Sequence, residues 1–376
     1  MIDLQSLLAA GVAAGHAPGL SAAIIDRDGR VQSGAAGVRG VDNPAAMTSD
    51  TVCWIASCTK AITSVGALQL VERGLLDLDE PVGSALPTLA APRVLAGFDT
   101  DGKPITQPAT KPITLRRLLT HTSGLAYDFV SEELARYMTA TGGTLMGAGE
   151  PDIPLMFEPG ERWLYGIGID WAGRLIEAIS GQTLDAYLAE NVLGPLGMAD
   201  TSFFPDAALS ARKASVHQRL DDGTFVAIPF GMPPVRHFGM GGGGLYSTAP
   251  DYLKFLKAIA GGGAPLLGAE TFGLMMRNHV GDFDAGSLKS AQPMLSRDFI
   301  PIPNRIRRHG LAGLVNMDAG TGTRSAGSLA WAGLANCYYW ADPVTGAAGV
   351  VMAQLLPFGD PGVLATFESV ERAVYA

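Results

Sequence analysis

A serine and a lysine stand three residues apart in a stretch that is otherwise free of charge. Between Asp50 and Glu72 the only charged residue is Lys60, and Ser57 precedes it by three positions. On a helix their hydroxyl and amine would lie on one face, one turn apart. Because burying an ammonium is costly, desolvation could hold the amine neutral, and a neutral amine can accept the proton of a nucleophilic hydroxyl. The pair therefore predicts a serine nucleophile with a lysine as its general base.

The same Ser-x-x-Lys spacing occurs again at Ser210 and Lys213, flanked by charge and without an apolar helix around it. A pattern this short arises by chance about once in a chain of this length. The second pair is typical of a solvated surface. For Ser57 the structural alternative is a helix-capping serine beside a lysine whose amine reaches water. The surroundings of the two pairs favour Ser57 and Lys60 as the chemical residues.

The segment that carries Lys60 predicts a helix that is buried on most of its faces. Its apolar residues recur three and four apart, at Ala61, Ile62, Val65, Leu68 and Val71. Polar residues interrupt this run, which excludes a membrane span. Ser57 would stand at the start of the helix, where backbone amides and the helix dipole favour negative charge.

Strand patterns occur at both ends of the chain. Residues 20–26 and 31–37 flank a turn at Asp28–Gly29, which predicts a hairpin. Successive strands are predicted late in the chain, at 328–333, 335–341 and 347–356, followed by a helix at 362–375. We therefore expect an α/β (α+β) fold, with one antiparallel sheet built from both chain ends and flanked by helices.

The middle of the chain reads as helix and loop, with a polar loop at 99–111. We expect residues 1–70 and 235–376 to form the sheet domain, residues 71–234 to form a mainly helical domain, and the active site to lie between them. Residues 262–310 show a mixed pattern. Gly239, Gly241 and Gly244 spell G-x-G-x-x-G, but no apolar strand precedes them, so we expect a loop beneath the active site rather than a nucleotide site.

Composition narrows the class of function. The 376 residues carry a formal net charge of −9, which argues against nucleic acid and anionic membranes as partners. The three cysteines form neither a metal-like spacing nor a disulfide framework, and no His-Glu-x-x-His motif is present. We expect neither a metal nor a cofactor. The first twenty residues lack the basic start of a secretory signal, which predicts a cytoplasmic protein.

Several stretches occur in an order that resembles a known family. They are WIASCTKAIT, LLTHTSGLAY, FEPGERWLYGIGIDWAGRLIE, GPLGMADTSF, GGGGLYSTAPDYLKF and WAGLANCYYWADP. Together they resemble the serine β-lactamases and penicillin-binding proteins, and within them the family VIII carboxylesterases, which are similar to class C β-lactamases. The resemblance runs from about residue 9 to 357 and implies a β-lactamase/transpeptidase-like fold. It also implies that Ser57 and Lys60 are catalytic.

The resemblance implies roles for further residues. Tyr165 matches the tyrosine of the second motif, which would relay the Ser57 proton to the leaving alcohol; the alternative is an aromatic ring packed on the next helix. The backbone amides of Ser57 and Leu334 would form the oxyanion hole. Tyr127 is either a second relay candidate or a wall of the substrate pocket.

The same resemblance exposes two departures from the β-lactamase pattern. Trp331-Ala-Gly333 stands where β-lactamases have Lys-Thr-Gly, and Ile167 stands where β-lactam-active members have Asn. Trp331 is either a pocket wall or a core tryptophan. The predicted substrate pocket comprises Tyr127, Trp331, Gly333 and Ile167.

The sequence therefore predicts a cofactor-free serine hydrolase, a carboxylesterase that cleaves small-molecule esters of short acyl chains through a Ser57 acyl-enzyme. A β-lactamase, D-peptidase or acyltransferase on the same site is the enzymatic alternative. A β-lactam-binding module that is acylated once without turnover is the alternative from another class.

Overall fold

The computed structural model describes residues 2–145, 149–233, 235–301, 305–319 and 322–376. Pro234, the last residue of the predicted helical domain, lies outside the described residues. The helices are α1 (Leu4–Ala13), α2 (Thr59–Glu72), α3 (Leu115–Leu119), α4 (Glu132–Thr141), α5 (Gly168–Ser180), α6 (Leu184–Leu188), α7 (Ala207–Ser210), α8 (Met240–Gly243), α9 (Ala249–Ala260), α10 (Ala269–Met275) and α11 (Pro361–Tyr375).

The strands follow the same chain order. They are β1 (Gly19–Ile25), β2 (Val31–Gly37), β3 (Cys53–Trp54), β4 (Arg93–Phe98), β5 (Pro104–Pro108), β6 (Val216–Arg219), β7 (Phe225–Ile228), β8 (Tyr246–Ser247), β9 (Arg307–His309), β10 (Leu314–Asn316), β11 (Leu329–Gly333), β12 (Cys337–Ala341), β13 (Ala348–Met352) and β14 (Leu355–Leu356).

The main sheet joins the two ends of the chain. Among the described residues its order is β2-β1-β13-β12-β11-β10-β9, and every neighbouring pair is antiparallel. The N-terminal strand β1 pairs with β13, with Ser21 opposite Met352. This arrangement confirms the predicted β-lactamase/transpeptidase-like sheet built from both termini.

Helices cover both faces of the central strands. Ala22 and Ile24 of β1 pack with α1 and α11, whereas Ala23 and Ile25 belong to the core that contains α9. All seven residues of β1 are buried, because successive side chains alternate between two covered faces. The nearly continuous apolar composition of these strands follows from that double burial.

The helix α2 is the buried element that the sequence predicted. Every residue from Thr59 to Leu70 is buried. One 3₁₀ turn, Ala56–Cys58, precedes α2 and contains Ser57. Ser57 therefore stands at the start of the buried helix, as expected.

Some local predictions were wrong. Residues 104–108 of the predicted polar loop 99–111 form the strand β5, which pairs with β4 as an exposed hairpin whose faces carry no apolar alternation. The segment 239–244, expected as a loop, contains the short helix α8. Two three-residue strands extend the main sheet: β9 lies within the segment 262–310 that gave only a mixed pattern, and β10 lies just after it, where no strand was predicted.

The predicted division into a sheet domain (1–70 and 235–376) and a helical domain (71–234) is not tested by the structure and stays a prediction. Within the described ranges, no helix has both the length and the apolar character that crossing a membrane requires.

Candidate active site

The turn that holds Ser57 is fixed from two sides. The residue before it, Ala56, has φ of +45°, a conformation that side chains other than glycine rarely adopt. The end of β11 packs against the same turn: a Cβ on Gly333 would lie 2.2 Å from the Ile55 carbonyl oxygen, so only glycine fits there. This contact brings the chain after Gly333 close to the nucleophile.

The Lys60 side chain is buried, with 2% of its surface exposed. Its Nζ lies 3.2 Å from Ser57 Oγ, 2.9 Å from Tyr127 Oη and 2.6 Å from the Gly242 carbonyl oxygen. These three contacts match the hydrogen-bonding capacity of an amine. A neutral amine would direct its lone pair, instead of an N–H, towards Ser57 and could accept the hydroxyl proton.

Tyr165 is the second group that contacts the Ser57 hydroxyl. Tyr165 Oη donates to Ser57 Oγ at 2.6 Å, and Lys60 Nζ lies 5.0 Å from the centre of the Tyr165 ring. The structure therefore brings together Ser57, Lys60 and Tyr165, the three residues for which the sequence predicted catalytic roles. Their catalytic roles stay predictions.

Tyr127 is held by a different partner. Its hydroxyl donates to Asp170 Oδ2 at 2.9 Å and accepts from Lys60. Burial, together with the neighbouring Asp170 carboxylate, raises the pKa of Tyr127 well above its usual range. Tyr127 is thus a neutral phenol whose proton points at Asp170. This geometry favours a role in orienting the Lys60 amine over a role as proton relay.

Asp170 is a site residue that the sequence analysis missed. Its Oδ1 accepts from the Gly242 amide at 2.8 Å, while Oδ2 accepts from Tyr127. Burial raises the pKa of Asp170, although Lys60 and the hydrogen bond from Tyr127 oppose that shift. A carboxylate between Ile169 and Trp171, both apolar, was the signal that could have found it.

The glycine-rich segment contributes backbone to the same network. The Gly242 carbonyl accepts from Lys60, and the Gly241 carbonyl accepts from Thr63 at 2.8 Å. A Cβ on Gly242 would lie 2.3 Å from Asp170 Oδ2. Glycine is therefore required where α8 approaches α2 and α5, which is a packing reason for part of the G-x-G-x-x-G pattern.

His121 supports the aromatic side of the site. It has φ of +57° in a turn whose carbonyl accepts from the Leu164 amide at 3.0 Å, and its ring lies 4.8 Å from that of Tyr165. Burial, reinforced by His309 and Lys60, lowers the pKa of His121 well below its usual range. A neutral, packed imidazole fits a role in fixing this turn.

A cavity of about 300 Å³ includes Ser57 and Tyr165 in its lining. Much of that lining is apolar and includes Phe129, Leu288, Phe299, Ala332, Tyr338 and Phe358. Trp331 and Leu334 also line it, whereas the other predicted pocket residues, Tyr127, Gly333 and Ile167, are not among its lining residues. Ile167 belongs instead to the buried core. The geometry permits a nucleophile to act on a largely apolar molecule.

The chain is similar to characterised enzymes over most of its length. Monacolin J acid methylbutanoyltransferase of Aspergillus terreus is 36% identical over 346 residues, which cover 87% of this chain and 82% of the relative. Lovastatin esterase of Penicillium rubens is 32% identical over 338 residues, 86% of this chain and 84% of the relative.

The solved structures give the same result for the fold. Unliganded simvastatin synthase from Aspergillus terreus superimposes with a TM-score of 0.86 at 31% identity, covering 100% of this chain and 99% of that structure. The sequence profile named Beta-lactamase matches residues 4–370. The chain belongs to the Beta-lactamase family and is an enzyme of the serine hydrolase and acyltransferase superfamily.

Proposed function

We propose that this protein takes a short acyl group from an ester onto Ser57 and passes it to the hydroxyl of an apolar alcohol, with water as the competing acceptor. One observation carries the proposal: Ser57 Oγ is contacted by both Lys60 Nζ and Tyr165 Oη and lies in the lining of a largely apolar cavity. An activated hydroxyl beside an apolar cavity suits acyl transfer between alcohols.

In the acylation step, neutral Lys60 accepts the Ser57 proton as Ser57 Oγ attacks the ester carbonyl carbon. The negative charge of the tetrahedral intermediate develops on the former carbonyl oxygen, which the backbone amides of Ser57 and Leu334 would stabilise. When the intermediate collapses, the bond to the alcohol oxygen breaks. Tyr165 gives its proton to that oxygen and regains one from Lys60.

The second half of the reaction uses the same groups in reverse. The acceptor alcohol gives its proton through Tyr165 to Lys60 as its oxygen attacks the Ser57 ester. The new ester leaves when Ser57 Oγ recovers the proton. If water attacks instead, the product is a free acid, so acyltransferase and esterase share all groups of the site and differ only in the acceptor.

Two observations favour an alcohol as the acceptor. The apolar part of the lining offers few partners for water and a large contact area for an organic molecule. The similarity to a methylbutanoyltransferase, at 36% identity, agrees with this choice. The carboxylesterase predicted from the sequence is the second candidate, and the similarity to lovastatin esterase favours it.

A β-lactam is the less suitable substrate. Trp331 replaces the lysine that helps β-lactamases to bind the substrate carboxylate, and Ile167 lies in the core instead of presenting an amide. We expect kcat/KM for p-nitrophenyl butyrate to exceed that for a cephalosporin by at least about a hundredfold, since two anchors for an anionic amide are missing.

The test is the fate of the acyl group. The enzyme is incubated with p-nitrophenyl butyrate and increasing 1-octanol, and octyl butyrate and butyric acid are both quantified. Octyl butyrate as the main product at saturating octanol supports the acyltransferase. Butyric acid alone, at a rate independent of octanol, assigns the protein as an esterase. Absence of turnover above that of Ser57→Ala contradicts both.

A further inference from the structure

The two backbone amides assigned above to the oxyanion hole lie on separate segments of the chain. Ser57 follows the short strand β3, which ends at Trp54. Leu334 begins the turn between β11 and β12. Both amides have to reach one oxygen of the tetrahedral intermediate, so their separation has to be fixed before the substrate binds. Whatever joins the two segments therefore affects the reaction.

One side chain that joins the two segments is that of Gln354, which lies between β13 and β14 and is 1% exposed. Its Oε1 accepts from the Trp54 amide at 2.9 Å, and its Nε2 donates to the Trp54 carbonyl at 2.8 Å. The side-chain amide thus pairs with both polar backbone groups of one residue, as a neighbouring strand would. Trp54 is fixed in this way three residues before Ser57.

The backbone of Gln354 binds the other segment. Its N–H donates to the Ala335 carbonyl at 3.0 Å, and the N–H of Leu355 donates to the same oxygen at 3.1 Å. Ala335 directly follows Leu334 in the chain. Gln354 has φ of +65°, a conformation in which glycine or asparagine would be less strained. A glutamine kept there despite the strain indicates that its side chain has a specific role.

The turn after β11 is fixed to the same segment by a second buried amide. Asn336, which has φ of +55°, donates from Nδ2 to the carbonyls of Leu355 and Pro357, at 2.7 and 2.9 Å. Together with the backbone bonds described above, these contacts make the turn and residues 354–357 one unit. The side chain of Gln354 attaches this unit to β3.

We propose that Gln354 is a positioning residue, which sets the separation of the Ser57 and Leu334 amides by joining β3 to the turn after β11. Gln354 is not among the described residues that line the cavity, so it acts through these two amides and not on the substrate itself. The inference rests on the proposed function, because it uses the oxyanion hole assigned there. Loss of the bridge should weaken binding of the tetrahedral state more than binding of the ester.

The test compares a tetrahedral ligand with a ground-state ligand in Gln354→Met, which lacks both side-chain hydrogen bonds but keeps a flexible side chain of similar size. Butaneboronic acid is the tetrahedral probe, because its boron bonds to a serine oxygen. We expect its affinity and kcat for p-nitrophenyl butyrate each to fall about 10²-fold, close to the effect of losing one oxyanion-hole donor. KM, and the affinity for 1-octanol measured by calorimetry, should change by less than about threefold.

Two further variants separate positioning from stability. Gln354→Asn draws the amide back by one methylene and tolerates the positive φ, so it should show the same selective loss even if Gln354→Met does not fold. Gln69→Met is the matched control. Gln69 is also buried, and its Nε2 donates to the carbonyls of Asn191 and Leu266, at 2.8 and 3.2 Å, but it lies about three turns beyond Ser57. It should lower thermal stability while boronate affinity and kcat stay within about twofold.

Wild-type boronate affinity and kcat in a folded Gln354 variant, or an equal loss in Gln69→Met, would overturn the inference. Acyl transfer by the wild type together with either of these results refutes only the positioning role. If the wild type binds the boronate through Ser57 but transfers no acyl group to 1-octanol or water, the proposed function fails. Boronate affinity in Gln354→Met still decides the positioning role in that case. A wild type that forms no boronate adduct would refute both proposals.

Discussion

The pair Ser57–Lys60 and the pair Ser210–Lys213 have the same spacing but different surroundings. Ser57 Oγ contacts a lysine amine and a tyrosine hydroxyl within a cavity lining. Ser210 is exposed at the end of α7, and its hydroxyl donates to the Pro205 carbonyl at 3.2 Å. Lys213 Nζ lies 4.2 Å from the centre of the Tyr246 ring.

The second pair shows that a desolvated lysine alone does not make a site. Burial lowers the pKa of Lys213. Within the described residues no side-chain hydrogen bond joins this amine to Ser210. What distinguishes Ser57 is that a buried amine and a phenol converge on one hydroxyl. Four pairs of variants test this difference and the site around Ser57. The expected effects decrease from the first pair to the last.

The two serines should differ most. Ser57→Ala removes the atom that carries the acyl group in the proposed function, so kcat/KM for p-nitrophenyl butyrate should fall by at least about 10⁴-fold. Ser210→Ala should stay within about twofold of wild type, as surface changes usually do. Circular dichroism confirms that both variants fold. A large loss in Ser210→Ala alone would reverse the assignment.

The two lysines come next. Lys60→Arg keeps a positive charge but cannot act as a base, and its larger head group does not fit between Ser57 and Gly242. We expect kcat to fall about 10³-fold, within the usual range for a lost general base. Lys213→Arg is the matched control and should change kcat by less than about twofold. Half of the wild-type rate in Lys60→Arg would remove Lys60 from the mechanism.

Variants of Tyr165 and Tyr127 test which of the two phenols relays the proton. Tyr165→Phe removes the phenol that contacts Ser57 and should lower kcat by about 10²-fold. Tyr127→Phe removes a neutral phenol to which we assign only the orienting of Lys60, so about a tenfold loss is expected. Single-turnover rates with p-nitrophenyl butyrate measure both effects. If Tyr127→Phe were the more damaged variant, the relay would have to be assigned to Tyr127.

We expect a smaller effect on kcat from a change at Asp170, together with a defined pH dependence of stability. Asp170→Asn should lower kcat about tenfold, because the carboxylate no longer orients Tyr127. Since burial raises the pKa of Asp170, the ionised carboxylate destabilises the fold above its unfolded pKa, and protonation relieves this as pH falls through the raised value. The stability of wild type relative to Asp170→Asn should therefore increase as the pH is lowered from 8 towards about 4, near the usual pKa of an aspartate.

Thermal unfolding at both pH values measures this change, with Asp342→Asn as the control. Burial opposes ionisation of Asp342 too, but hydrogen bonds from Ser325, Thr345 and Tyr375 hold its pKa below the usual value. The difference in stability between wild type and Asp342→Asn should therefore not increase as the pH falls towards about 4. If the stability of wild type relative to Asp170→Asn decreased as the pH fell, this result would contradict a raised pKa for the Asp170 carboxyl.

The parts of the fold that the sequence predicted well have local causes. The helix α2 is long and apolar, and the β1–β2 hairpin has a turn at Asp28–Gly29, so each signal is contained in its own segment. The exposed hairpin β4–β5 and the three-residue strands β9 and β10 lacked such signals. Strands this short form because a neighbouring strand offers hydrogen bonds, which no local pattern encodes.

The site residues also divide into those that the sequence could predict and those that only the fold brings together. Ser57 and Lys60 are one helical turn apart, so their contact could be predicted from spacing, and the resemblance to a family indicated Tyr165. Asp170 and Gly242 meet because α8 docks between α2 and α5, a contact between segments 72 positions apart in the sequence. The role of Tyr127 was open for the same reason, since its partner Asp170 was not recognised.

The covalent intermediate is the central claim, and mass spectrometry of the acid-quenched enzyme tests it most directly. The enzyme is mixed with p-nitrophenyl butyrate, quenched in acid within milliseconds to seconds, and digested. The account predicts one butyryl group per chain, on the peptide that contains Ser57, and none in Ser57→Ala. A butyryl group on the Ser210 peptide, or rapid p-nitrophenol release with no acylated protein at any time point, would contradict it.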